Sequence, residues 1–131
     1  MTRDGPLWLV VLAVSSGAAI GACIRWGLSY WLNAKPMWIP LGTLSANLMA
    51  GFLIGLALAW FTAHPSINPS VRLFVVTGFL GGLSTLSTLS AESLKYFMHE
   101  QWLHAFGHLG LHIGGTLFAT WCGYHLLKRF L

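Results

Sequence analysis

Charge is what this 131-residue chain has least of: 8% of its residues are Asp, Glu, Lys or Arg, against 56% hydrophobic. So few charges cannot cover the surface of a water-soluble domain, and with 15 glycines and 7 tryptophans the balance is that of an integral membrane protein. Cysteine is scarce too. Cys23 and Cys122 both sit in apolar segments without CxxC spacing, which excludes a disulfide scaffold or a thiolate metal site and leaves them as small packing residues. The basic residues are scattered without a shared face, so nucleic acid is not an expected partner. Nor do a nucleophile, a base and an oxyanion donor converge at readable spacing, so the chain does not read as an enzyme.

Four apolar stretches are present, at about 7–32, 38–63, 71–98 and 102–127. Each reaches the roughly 20 residues that a tilted membrane helix needs. The expected fold class is therefore an all-α membrane protein of four transmembrane helices, a single unit over 1–131 with little left over for another domain. A cleaved leader would have its apolar run stop near residues 14 to 19, whereas this one continues to Ile24, so the first stretch is expected to be a true span. The connections are short: Asn33 to Pro36, His64 to Ser70 and His99 to Gln101. Each span carries a pair of glycines four apart, Gly17 with Gly21, Gly51 with Gly55, Gly78 with Gly82 and Gly110 with Gly114, which lets helix backbones approach closely in lipid.

With four spans both termini share one side of the membrane, which would hold Arg3, Arg72, Lys128 and Arg129 against Lys35, Lys95 and Arg25 on the other. So even a balance sets no orientation by the positive-inside rule, and a chain that inserts both ways can pair as an antiparallel dimer. Thin four-helix subunits enclose little volume, so pores or substrate sites are expected to be built with a second copy.

Three polar features lie within the apolar stretches. The string GFLGGLSTLSTLSAE, Gly78 to Glu92, interrupts the third; its Gly81-Gly82 pair is expected to break the helix and free carbonyls for a cation, water or a hydroxyl. Thr43 and Asn47, four apart, point to one face of the second, as a ligand contact or a simple interhelical hydrogen bond. Along the fourth, His104, His108, His112, Thr116 and Thr120 make a polar stripe that Thr85, Thr88 and Glu92 can face from the third. A polar track through hydrocarbon points to transport. Histidines four apart can also ligate zinc, although no HExxH or cysteine supports that here.

The strings GAAIGACIRW (Gly17 to Trp26), GTLSANL (Gly42 to Leu48) and Gly78 to Glu92 resemble, in order and spacing, the three signature segments of the small bacterial fluoride channels of the Fluc or CrcB family. The resemblance spans nearly the whole chain. It implies a multi-pass protein of the bacterial cytoplasmic (inner) membrane, a dual-topology antiparallel homodimer, a structural sodium ion at the dimer centre, and passive efflux of fluoride that relieves its toxicity. Carried over residue by residue, backbone carbonyls of Gly81 and Ser84 would hold the sodium and Asn47 would be the pore asparagine. Arg25 would lie near the vestibule, Thr43 and Glu92 would be a polar pair on the ion path, and Thr88 would belong to the same path. Thr116 and Thr120 would supply hydroxyls from the fourth helix and His108 would stand at an aromatic or polar position, while His112 is expected on the ion path from its place in the stripe. The family's TTFSTFS string has two phenylalanines where this chain has Leu86 and Leu89, and leucine lacks the positive ring edge that can face an anion. A rival is a proton-coupled exporter of small cations. Such a protein is expected to need an acid early in the chain, where the first span offers only Arg25.

Overall fold

The computed structural model describes residues 3–131, and every regular element among them is helical. Pro6, in extended conformation, opens α1 (Leu7–Leu32), and Pro40 does the same for α2 (Leu41–Ala63). A fixed φ and a missing N–H suit proline to a helix start, where no intrahelical acceptor awaits that hydrogen. The next entry is capped by Asn68, whose side chain accepts from Ser70 N at 2.9 Å with Pro69 directly following. From there α3 (Pro69–Arg72) runs into a π-helical stretch, π1 (Leu73–Leu80), and a last turn, α4 (Gly81–Leu83). After an extended Ser84 and Thr85, α5 (Leu86–Met98) resumes, and α6 (Trp102–Lys128) completes the chain.

Among the described residues three lengths are long and apolar enough to cross a membrane: Leu7–Leu32, Leu41–Ala63 and Pro69–Met98. The 27 residues of α6 match them in length, at about 1.5 Å per residue, but its histidines and threonines make it more polar than the others. Large apolar side chains such as Trp31 and Leu103 face outward. In a lipid-facing helix that is the expected inversion, and inside, small residues on one helix receive larger ones from another: Ala46 and Ala50 of α2 pack with Leu80 and Leu83.

The third span is broken, but not at Gly81-Gly82. Gly81 has helical φ and ψ of −64° and −35°, and the chain leaves the helix only at Ser84, with ψ 157°, and Thr85, with φ −149° and ψ 117°. Gly82 is glycine because α1 lies against it: a β-carbon there would stand 3.0 Å from Ala18 Cα. Gly21 answers from α1, where a β-carbon would stand 2.8 Å from Leu83 N. Glycine here serves close backbone approach, and the break has another cause, described below. Gly17, Gly51, Gly55 and Gly78 likewise meet neighbouring helices, whereas a β-carbon at Gly110 or Gly114 would meet no other element within 4 Å among the described residues.

That contrast yields an expectation. Gly21→Val forces α1 away from α4 and should cost about 1–3 kcal/mol, seen as a fall of several degrees in the melting temperature in detergent. Gly110→Val should leave the melting curve nearly unchanged. Equal melting of the two variants would contradict the packing described here.

Candidate functional site

The break is held by a side chain from another helix. In a continuous helix the Thr85 N–H would serve the Gly81 carbonyl. Here it donates to Asn47 Oδ1 at 2.7 Å, while the Thr85 carbonyl accepts from Asn47 Nδ2 at 3.2 Å. Thr85 also caps α5, its Oγ1 accepting from Thr88 N at 3.1 Å. A buried non-helical peptide in the middle of a span is thus satisfied on both sides, as hydrocarbon requires.

From Asn47 a row of polar groups continues. Its Nδ2 also lies 3.0 Å from His112 Nδ1, the His112 ring meets that of His108 edge to face at 4.5 Å, and His108 Nε2 lies 3.1 Å from Glu92 Oε2. Thr43 ends the row by donating its hydroxyl to Glu92 Oε1 at 2.8 Å. Helical spacing explains the convergence: Thr43 and Asn47 are successive turns of α2, His108 and His112 of α6, and Glu92 projects from α5 between them. His108, His112 and Thr43 are 0%, 1% and 1% exposed. His108 Nδ1 and His112 Nε2 are buried without a hydrogen-bond partner among the described residues. Glu92, His108 and His112 each offer a ligand atom within 4.8 Å of the others, so the zinc alternative gains a third residue that spacing alone did not supply.

Both ends of the row open to space. At the Glu92 end lies a cavity of about 320 Å³, a mouth whose lining includes Asn33, Lys35, Lys95 and Tyr96, two of them lysines. At the other, Asn47 and His112 line an open groove of about 320 Å³ with Thr85, Leu86, Leu89 and Thr116. A neighbouring cavity of about 280 Å³ is shared by Asn47, Gly81, Ser84 and Thr116. Leu86 and Leu89 stand on the groove wall together but unequally, at 75% and 4% exposure.

Not every residue singled out in the sequence joins this row. Thr88 turns back to its own helix, accepting from Thr85 Oγ1 at 3.0 Å, and Thr120 donates to the Thr116 carbonyl at 2.9 Å. Arg25 lies against the break, its Nε donating to the Gly82 carbonyl at 2.9 Å. Ser84 gives both its N–H and its hydroxyl to the Leu80 carbonyl, at 3.0 Å each. His104 stands apart with Trp38 and Tyr96, and the Tyr96 hydroxyl donates to the Trp38 carbonyl. The mouth went unread in the sequence. Its signal was there, since Lys95 and Tyr96 follow Glu92 by three and four positions and so share its face of α5.

Residues 12–124 match the family described as CrcB-like protein, Camphor Resistance (CrcB). The chain belongs to the CrcB family. The matched stretch contains every member of the polar row and the whole of the break. Among its relatives, a protein of Psychrobacter arcticus is 52% identical over 121 residues, 92% of this chain and 98% of its own length. One of Thiobacillus denitrificans is 50% identical over 117 residues, 89% and 94% of the two chains. One of Cupriavidus metallidurans is 49% identical over 116 residues, 88% and 90%. Each of these CrcB relatives is named a fluoride-specific ion channel.

Proposed function

We propose that this chain is a fluoride channel of the bacterial inner membrane, a multi-pass protein that lets fluoride leave the cytoplasm passively and so relieves its toxicity. The observation that carries this is the buried row from Glu92 and Thr43 through His108 and His112 to Asn47, which links a lysine-lined mouth to an open groove. Fluoride is small and strongly hydrated, so a path for it must replace water with hydrogen-bond donors, and the lysines at the mouth raise its local concentration. Half of the chain's aligned residues are shared with proteins named for that ion. A proton-coupled cation exporter has less support, because α1 carries Arg25 and no acid between Leu7 and Leu32.

Within this reading α6 is the fourth span, and two copies pair antiparallel. The open grooves support the pairing, since each lacks a wall that a second copy would supply. The balanced basic residues support insertion in both orientations. In cells that lack their own fluoride exporter, expression should restore growth in fluoride medium, and unchanged growth by a protein present in the membrane would oppose the proposal. Cysteines introduced in the 33–36 connection should label from both faces of the membrane. Labelling from one face only would rule out dual topology.

The break suits a structural sodium ion at the two-fold axis. Thr85 N–H is spent on Asn47, which deprives the Gly81 carbonyl of its helical donor, and Gly81 lines an outward-opening cavity beside Ser84. The carbonyls of Gly81 and Ser84 from two copies would hold such an ion as hard oxygen ligands. By mass action sodium should raise the dimer's melting temperature in detergent more than potassium at equal ionic strength. Coincident curves in the two salts would remove the sodium.

A further inference from the structure

Asn47 has no hydrogen left to offer an ion. Its Oδ1 accepts from the Thr85 N–H, which fixes the amide's orientation, and its two N–H hydrogens face the Thr85 carbonyl and His112 Nδ1. His112 Nδ1 must therefore be an acceptor. A neutral imidazole that accepts at one nitrogen carries its proton on the other, so His112 is the Nε2–H tautomer. That Nε2–H is buried without a partner among the described residues, in a residue that lines the groove. His108 also carries a proton on Nε2, which lies against the Glu92 carboxylate and donates to it, so its unpartnered buried nitrogen among the described residues is Nδ1 and not Nε2.

We propose that Asn47 is a positioning residue that sets the tautomer of His112, and that His112 Nε2–H is a hydrogen-bond donor to the passing anion. The inference rests on reading the row as a fluoride path. Its chemistry is a matter of sign: an N–H attracts a desolvated fluoride, whereas the lone pair of the other tautomer repels it. An unmatched buried donor is a standing debt for a resting protein and an asset for one whose ligand accepts hydrogen bonds.

The same logic decides between an anion and a metal at Glu92, His108 and His112. A metal-bound histidine donates its second N–H to an acceptor such as a carboxylate or carbonyl. His112 would ligate through Nε2 only by moving its proton to Nδ1, where Asn47 presents a donor. Asn47 thus tunes the cluster against metal. Asn47→Asp should reverse this, because a carboxylate at that position can still accept from Thr85 N–H while also accepting from a His112 Nδ1–H.

Two measurements test the proposal. In bilayers containing the unmodified protein with nitrogen-15 histidine, assigned by comparison with His112→Gln, the His112 proton should reside on Nε2. Fluoride should shift that N–H signal, and chloride at equal concentration should not. A proton on Nδ1, or an N–H blind to fluoride, overturns the proposal whether or not the protein conducts. In Asn47→Asp the proton should move to Nδ1, fluoride efflux should fall at least ten-fold, and zinc binding, followed directly by calorimetry, should tighten about ten-fold or more. Retention of the Nε2–H tautomer or of the parent zinc affinity by the folded variant also overturns it. If the histidine signals behave as stated and the unmodified protein passes no fluoride, the fluoride-channel function fails and the tautomer assignment stands.

Discussion

Asn47→Leu should be the most damaging single substitution in the polar row, lowering the melting temperature of the detergent-solubilised protein by roughly ten degrees. Leucine is close to asparagine in size, so the loss is one of hydrogen bonds and not of volume. Three buried groups lose their partner at once: Thr85 N–H, Thr85 carbonyl and His112 Nδ1. Each unsatisfied group costs about 1–3 kcal/mol, and water cannot readily rescue them at membrane depth. With the break unclamped, α5 loses the anchor of its N-terminus, and both Glu92 and the groove wall ride on that helix. A barrier higher by about 2.7 kcal/mol is a hundred-fold loss of rate, and fluoride efflux should fall by at least that factor. Thr120→Val provides the comparison, because its hydroxyl serves only its own helix and its loss should change efflux less than about three-fold. Should Asn47→Leu melt within two degrees of the parent and retain half its flux, the clamp would not be what holds the site.

The second large effect runs the other way. Leu86→Phe with Leu89→Phe should accelerate fluoride efflux, because phenylalanine edges carry partial positive charge where leucine offers only apolar bulk. Aromatic pairs gain about 0.5–1.5 kcal/mol each from such edge electrostatics, and two ring edges of similar worth to the ion in the barrier region should together raise the rate roughly five-fold or more. The two positions are not equivalent. Leu86 is mostly exposed in the groove and has room for a ring, whereas Leu89 is buried beside it and must repack. Leu86→Phe should therefore be the better tolerated single change, and both singles should fall short of the pair if successive sites must each favour the ion. A double variant that remains folded and conducts at the parent's rate or below would remove these side chains from the pore wall.

Much of the site could be read in the sequence where helical periodicity carries the information. Thr43 with Asn47, and His108 with His112, lie on shared faces because each pair is four apart, and those faces do meet Glu92. Periodicity says nothing of what a side chain bonds to across helices. Asn47 reads equally as an ion ligand or a structural bond until its partner, 38 residues on, is placed beside it. The glycine pair marks the break a few residues too early for a related reason. Glycine signals both backbone freedom and close packing, and at Gly82 the contact with Ala18 accounts for it. What ends the helix is the diversion of Thr85 N–H to Asn47, 38 residues away and so not a local sequence property, after which the Thr85 cap on Thr88 N–H restarts it. Spacing places Thr88 and Thr120 on the stripe, but Thr120 donates to a carbonyl of its own preceding turn and Thr88 accepts from the hydroxyl of Thr85, the residue that caps its helix.

Fluoride efflux from liposomes that contain this purified protein and no other tests the account most directly. Vesicles loaded with fluoride should release it rapidly down its gradient without a proton gradient or nucleotide, at a rate proportional to protein content. Vesicles loaded with chloride should hold their contents like protein-free controls. Fluoride retention equal to that of protein-free vesicles, or release of chloride as fast as fluoride, would contradict a selective fluoride path through this chain.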